Sequence, residues 1–439
     1  MKTKVLLIIT LTAFSFSGIS QKKWSLQECV DYALEHNITV KQNMLNVALS
    51  KQDVVQAKGN FLPNLNASTN PGMNFGSSIG QNGARISIDN FRVGFNLTSS
   101  ATVFNGFRNL NIYKQAQLGV TSSELELKRI QDNISLNVVN AYLNILFAKE
   151  NLSVAEVQHE ISKKQIERAQ SQVDAGVKPK GELLNVQSTA ATDAQNIVTQ
   201  ENTLNLSLLT LAQLLQVSTE NFDIALIDVG APSVTTLYND SDVIYKKAVT
   251  IRPEIVKAQI GVENANLGIE IAKGRYLPSL SFSAGVGSTY QHAFSFSNEY
   301  FFKQAYDNLG YSLGLSLNIP IFNRFQTKSG VSKSIINQEI SEYNFESEKL
   351  QLKETIERVF LDAKSASKAY EAAQTSVISQ NEAFKNAQER YNFGAMTLFD
   401  FDQVRNRLVS AQSSLIRAKY DFVFKTKVLK FYNGESIFD

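Results

Sequence analysis

The 439-residue sequence contains a single cysteine, Cys29, so it can form no internal disulfide. Its three histidines, His36, His159 and His292, stand far apart, with no metal-ligand spacing to one another, to Cys29 or to carboxylates. There is no phosphate-cradling glycine loop and no nucleophile elbow. These absences speak against an enzyme, and no cofactor or metal is expected. Acids are plentiful, but on long helical stretches, where they read as a solvated wall rather than catalytic pairs. A surplus charge of one sign is also missing. Loss of Lys2 and Lys4 with an amino-terminal leader would take the 43 Lys and Arg to 41, equal to the 41 Asp and Glu. That balance argues against nucleic acid as a partner. Beyond the leader, no apolar run approaches the ~20 residues of a membrane-spanning helix. If the chain crosses a membrane, it must do so with strands.

The leader itself reads as a secretory signal over residues 1–20: basic Lys2 and Lys4, an apolar Val5 to Phe16, and the small-residue site Gly18-Ile-Ser20. Cleavage there leaves Gln21 first, and Cys29 lies too late to carry a lipid anchor.

Glycine and proline are absent over two long stretches, Val120 to Ala175 and Val331 to Phe393. The second covers 63 residues, and an unbroken helix of that length would be ~95 Å long, beyond what a globular core needs. Each stretch ends in a short turn, Ala175-Gly176-Val177-Lys178-Pro179 and Tyr391-Asn-Phe-Gly394-Ala-Met-Thr397. After the second turn Leu398, Phe401, Val404, Leu408, Ala411, Leu415, Ala418 and Phe422 recur every three or four residues, the seam of a helix that packs on a partner. Leu183, Val186, Ala190, Ile197 and Leu204 do the same after the first. These are two helical hairpins, with tips at Gly176 and Gly394, 218 positions apart.

The copies match elsewhere as well. Ala57-Lys-Gly-Asn-Phe-Leu-Pro63 and Ala272-Lys-Gly-Arg-Tyr-Leu-Pro278 are 215 apart, and Val103-Phe-Asn-Gly-Phe107 and Ile321-Phe-Asn-Arg-Phe325 are 218 apart. The chain is therefore two copies of one unit. We expect a first repeat over 21–222, a connector over 223–240 where the helical pattern lapses at Asp228-Val-Gly-Ala-Pro232, and a second repeat over 241–439. Each repeat should open with a helix, from the capping box Ser25-Leu-Gln-Glu28 to about Lys58 and from Ser241 to about Lys273. Each opening helix has a dip, at Asn37 and at Arg252-Pro253.

Strand periodicity appears only between each opening helix and its hairpin, within about 61–104 and 276–321. Leu65, Ala67 and Thr69 alternate with Asn66, Ser68 and Asn70, and Phe91, Val93, Phe95 and Leu97 with Arg92, Gly94, Asn96 and Thr98. In the second copy Leu280, Phe282, Ala284 and Val286 alternate with Ser281, Ser283, Gly285 and Gly287. Tyr311, Leu313, Leu315, Leu317 and Ile319 alternate with Ser312, Gly314, Ser316 and Asn318. Pro71 to Asn90 and Gln291 to Asn308 read as loops. A soluble sheet resting its apolar face on its own helices would show this alternation; so would a transmembrane β-barrel, whose strands run ~9–11 residues, apolar outward and polar inward. Four strands cannot close a barrel, so the membrane reading requires oligomerisation, two chains giving eight strands and three giving twelve.

Capped Trp24-Ser-Leu-Gln-Glu-Cys-Val-Asp-Tyr-Ala-Leu34, the paired Ala-Lys-Gly-X-aromatic-Leu-Pro segments, the Phe-Asn-X-Phe strand ends and the tip Arg390-Tyr-Asn-Phe-Gly394 together resemble the TolC family of bacterial outer-membrane factors. The resemblance implies a mostly α chain with a transmembrane barrel portion closed by trimerisation, sitting in outer-membrane lipid and extending into the periplasm as a helical tunnel. It implies an exit duct for efflux or type I secretion, partnered by a periplasmic adaptor (membrane fusion) protein and an inner-membrane pump. A periplasmic adaptor or structural coiled-coil protein is the competing reading, although such adaptors have one hairpin and this chain has two.

Residue by residue, the resemblance assigns adaptor contact to Ala175, Gly176 and Val177 and to Phe393, Gly394 and Ala395, where helix termination by left-handed glycine is the plainer role. It assigns the periplasmic constriction to Asp400, with the family's second acidic position occupied by Gln403. Asp400 equally fits a cap with Thr397 at the start of its helix. Glu182 and Tyr391 match a polar link that holds neighbouring helices closed, whose basic member falls at Met396; plain surface placement is the alternative.

Overall fold

A computed structural model describes residues 23–227, 240–294 and 297–437. The expected leader and the Asp228–Pro232 part of the connector lie outside them. The first copy opens with the two-residue strand β1 (Lys23–Trp24), helices α1 (Leu26–His36) and α2 (Ile38–Gly59) and strand β2 (Asn64–Asn74). The small hairpin β3 (Ser77–Ile79) and β4 (Arg85–Ser87) and the strand β5 (Asn90–Phe104) follow. Helices α3 (Arg108–Asp174) and α4 (Lys180–Leu215) form the first hairpin, and β6 (Asp223–Ile224) comes after it. The second copy has α5 (Ser241–Ile251), α6 (Pro253–Lys273), β7 (Ser279–Ala293), a short α7 (Phe301–Asp307) and β8 (Gly310–Asn318). Its hairpin is α8 (Gln326–Asn392) and α9 (Leu398–Tyr432).

Both long helices have 67 residues, and their partners have 36 and 35. The repeat extends to the backbone: positive φ recurs at Gly106 and Arg324, Phe107 and Phe325, Gly176 and Gly394, and Gln216 and Gly434, each pair 218 apart. Arg324 and Gln216 adopt this conformation against the steric preference of their side chains, so the packing around the turn enforces it. Gly106 is held to glycine by space as well, because a Cβ would come 2.2 Å from the carbonyl oxygen of Gly274.

The capping box forms as expected, the Glu28 amide donating to Ser25 Oγ at 3.2 Å and the Ser25 amide to Glu28 Oε2 at 2.8 Å. Each opening helix, however, is two helices rather than one with a dip. Asn37 turns extended between α1 and α2. Its Oδ1 accepts from the Thr39 amide at 2.9 Å and its Nδ2 donates to the Leu214 carbonyl at 3.1 Å, so its side chain caps α2 and ties it to α4. At the matching place Arg252 is extended and Pro253 is the first residue of α6, where its missing N–H costs nothing.

The chain divides into two compact units. One comprises, within the described residues, Met1–Asn43, Leu127–Ile255 and Lys349–Asp439. Its core joins Cys29 and Val30 of α1, Val138, Tyr142 and Ile145 of α3, Leu211 and Leu215 of α4, Ile224 of β6 and Tyr420 of α9. Here β1 and β6 pair in parallel, Trp24 beside Ile224. The fully buried Tyr142 hydroxyl reaches the Ala225 carbonyl at 2.6 Å and that of Trp24 at 3.2 Å. Burial pushes its phenol well above the ordinary range. A strand inside the expected connector was not foreseen, since two residues show no periodicity.

The other unit, Met44–Glu126 and Val256–Glu348, holds an antiparallel sheet in the order β2-β5-β7-β8. Register aligns Ala67, Leu97, Val286 and Tyr311 on one face and Asn66, Thr98, Gly285 and Ser312 on the other. Most of the apolar face carries no helix, α7 alone covering it at Phe95 and Tyr290: Tyr311, Leu313, Leu315 and Leu317 are between 61% and 80% exposed. That removes the soluble-sheet reading. Both outer strands, β2 and β8, lack a second strand partner among the described residues.

Strands β2, β5 and β7 run longer than expected, at 11, 15 and 15 residues. Pro71 to Asn74 belongs to β2, with Pro71 opposite Val93, rather than to a loop. Proline is accommodated because β2 is an outer strand, with no second strand beside it among the described residues. Gln291 to Ala293 likewise belongs to β7, and the rest of that expected loop contains α7.

Candidate functional site: the hairpin tips

Both tips are built alike. The Gly176 amide donates to the Val173 carbonyl at 2.9 Å and the Val177 amide to that of Gln172 at 2.9 Å. In the second hairpin Gly394 bonds Tyr391 at 3.1 Å and Ala395 bonds Arg390 at 2.8 Å. This pair of bonds satisfies two carbonyls that the helix end would otherwise orphan, and it requires a left-handed residue, here Gly176 at φ +71 and Gly394 at φ +76. Beyond the glycines the tips are apolar and open, with Val177 69% and Phe393 87% exposed.

The tips differ in how the return helix begins. Pro179 precedes α4 without a side-chain cap. Thr397 caps α9, its Oγ1 accepting from the Asp400 amide at 3.1 Å and lying 2.7 Å from Asp400 Oδ2. Asp400 thus serves the helix start and stays exposed, as does Gln403. Both line an open groove of about 910 Å³ between the tips, together with Lys178, Glu182, Met396 and Arg407.

Glu182 and Tyr391 are not hydrogen-bonded to each other among the described residues. Lys178 Nζ holds the Glu182 carboxylate at 2.8 Å, while Tyr391 stacks on Phe401 with ring centroids 4.9 Å apart. Burial first, and then the nearby Glu182 charge, push the Tyr391 phenol upward against the lowering effect of Arg168. Arg168 supplies a cation here that the sequence reading did not find. It crosses from the first hairpin to donate to the Asn392 carbonyl at 2.8 Å and to Asn392 Oδ1, and it lies 5.9 Å from the centre of the Tyr391 ring.

A buried ionic cluster near the tips also escaped the sequence reading. Arg405 of α9 is 2% exposed. Its Nη1 donates to Ser162 Oγ of α3 at 2.6 Å and to Asp193 Oδ2 of α4 at 3.1 Å, and its Nε stands 3.7 Å from Asp402 Oδ1. Ser162 also bonds Asp193, and Thr189 Oγ1 reaches Asp402 Oδ2 at 3.5 Å. Burial, with repulsion from Asp193, holds the Asp402 carboxyl above the usual carboxylate range, although Arg405 and Thr189 pull it down. The cluster joins one hairpin to the other. A signal was available: Arg405 falls four residues after Phe401 and three before Leu408, and Asp193 three after Ala190 and four before Ile197, so both interrupt an apolar seam.

The chain has a sheet with an exposed apolar face, two matched hairpins and, at their tips, apolar side chains beside a polar groove. A family model described as outer membrane efflux protein matches residues 29–216 and 244–432, one stretch in each repeat. The chain belongs to the outer membrane efflux protein family. It is 22% identical over 438 residues to outer membrane protein TolC of Escherichia coli strain K12, spanning 98% of this chain and 86% of that one. It is 20% identical over 328 residues to the alkaline protease secretion protein AprF of Pseudomonas aeruginosa, 73% of this chain and 66% of that one. The fold matches the crystal structure of the outer membrane protein VceC from Vibrio cholerae with a TM-score of 0.77 at 16% identity, over 94% of this chain and 96% of the other. As an outer membrane efflux protein the chain is a channel protein of the outer membrane and not an enzyme. The adaptor and structural coiled-coil readings fall with that membership.

Proposed function

We propose that three copies of this outer membrane efflux protein close one twelve-stranded barrel and form the exit duct of an efflux or type I secretion system. The observation that carries the proposal is the four-stranded sheet, apolar on its exposed face, whose two outer strands have no further strand beside them among the described residues. An open edge in lipid leaves backbone groups unpaired, so β8 of one copy must meet β2 of the next. Relatives named for alkaline protease secretion, pyoverdine export and cation efflux support an export role with a cargo set elsewhere in the system.

In this reading a periplasmic adaptor, coupled to an inner-membrane pump, docks on the tips through Ala175, Gly176, Val177, Phe393, Gly394 and Ala395. Their exposure and matched geometry support it. Three copies of Asp400 around one axis form a cation-favouring constriction, weakened by Gln403 at the second position. Glu182 and Tyr391 belong to its gate, with Arg168 replacing the cation missing at Met396. The test is site-directed crosslinking from Val177 and Ala395 to a co-expressed adaptor. Adducts at both positions are expected; none at either would refute tip docking.

A further inference from the structure

The sheet's outer end contains a device that the exit-duct reading does not use. β7 continues to Ala293, but β8 begins at Gly310, opposite Gly287, so the β7 edge beyond that point has no strand beside it among the described residues. Three side-chain amides take the strand's place. Asn308 Nδ2 donates to the Thr289 carbonyl at 2.6 Å. Gln304 takes the Gln291 amide on Oε1 and gives Nε2 to the Gln291 carbonyl, both at 3.0 Å. Asn298 does the same for Ala293, at 2.7 and 2.8 Å. In water an exposed edge needs no such cover. In hydrocarbon every backbone donor and acceptor must be satisfied from within the protein.

Two of these amides flank or belong to α7, which rests on the apolar face of the sheet. Phe301 packs on Phe95 and Tyr290, with ring centroids 5.9 and 5.1 Å away, and Ser288 Oγ donates to the Ala305 carbonyl at 2.6 Å. Phe95 and Ser288 are register partners, and Tyr290 faces Val93, so all lie on the row that continues to Leu97 and Val286. The remaining aromatics of the helix and its N-cap, Tyr300, Phe302 and Tyr306, are 86%, 84% and 79% exposed. The Lys303–Glu299 ion pair, at 2.8 Å, stands beside them. Aromatics mixed with charge, continuous with an apolar barrel face, are the composition of a membrane–water interface.

We propose that α7 is an interfacial anchor whose Tyr300, Phe302 and Tyr306 lie among outer-membrane lipids at the headgroup–acyl boundary. The proposal rests on the barrel reading. The test uses the full-length protein, whose only tryptophan is Trp24, reconstituted in phosphatidylcholine vesicles with and without brominated acyl chains. Phe302→Trp and Tyr306→Trp are compared with Leu313→Trp on the apolar strand face, and the wild-type emission is subtracted. All three added tryptophans should lose most of their emission to bromine. Quenching at 313 with none at 302 or 306 would overturn the anchor, leaving α7 against water or a neighbouring chain, while the barrel stands. No quenching at any position would overturn the barrel reading and the anchor with it.

Discussion

Replacing Arg405 with methionine keeps most of the side chain's volume and removes its charge. The guanidinium lies 3.1 Å from Asp193 and 3.7 Å from Asp402. At an effective dielectric of ~20 the shorter contact is worth about 5 kcal/mol of Coulomb attraction. Most of that is offset by the cost of taking the ions out of water, so the intact cluster adds little net stability. Its truncation is different, because two carboxylates then remain between packed helices without a cation. That state costs ~3 kcal/mol, equivalent to a rise of about two orders of magnitude in local opening. The assay is native-state hydrogen exchange in the α9 segment 401–409, on protein purified in detergent. Arg405→Met should accelerate exchange there strongly. Adding Asp193→Asn and Asp402→Asn should recover much of the loss, because no buried charge is then left uncompensated. Exchange within about threefold of wild type in Arg405→Met, under ~0.7 kcal/mol, would refute the claim that this cluster binds the two hairpins.

Asp402 yields a pH-dependent prediction. Its folded-state pKa is raised, so its contribution to stability is present below the unfolded pKa and is lost as pH rises through the folded one. Asp402→Asn should therefore match or exceed wild-type stability at neutral pH and lose that advantage on acidification; a neutral-pH loss as large as that of Arg405→Met would contradict this. At the tips, Gly176→Ala and Gly394→Ala meet no neighbouring atom within 4 Å, so each should cost only the left-handed backbone strain, ~1 kcal/mol, read as faster exchange confined to that tip. Thr397→Ala removes the cap from α9 at a cost of ~1 kcal/mol and leaves Asp400's charge, so cation preference in single-channel recordings should survive it and fall in Asp400→Ala. Equal preference in both variants would leave Asp400 as a cap alone.

Much of the fold was written in the sequence because its signals are long or repeated. Stretches free of glycine and proline became two 67-residue helices, and the alternation of Tyr311 to Ile319 against small residues became a sheet with one apolar face. Signals too short or too indirect were lost. Asn37 breaks a helix through side-chain bonds that no proline announces. The β1–β6 pair is two residues long, and α7 carries too few turns for a period. Pro71 looked like a loop residue because sequence alone does not say which strand is outermost. At the site, the tip glycines and the Thr397–Asp400 cap were legible as local chemistry. The partners of Arg405 were not, since its bonds to Ser162 and Asp193 join residues more than 200 positions apart across two hairpins, and Arg168 reaches Asn392 over a similar separation.

The barrel closed by three chains is tested most directly by the protein mass of the detergent-solubilised particle recovered from fractionated envelopes. The account predicts recovery from the outer membrane at three protomers, supplying twelve strands from the four found in each chain. A soluble periplasmic monomer would mean that the exposed apolar face of the sheet is covered by something other than lipid, and the duct would have to be abandoned.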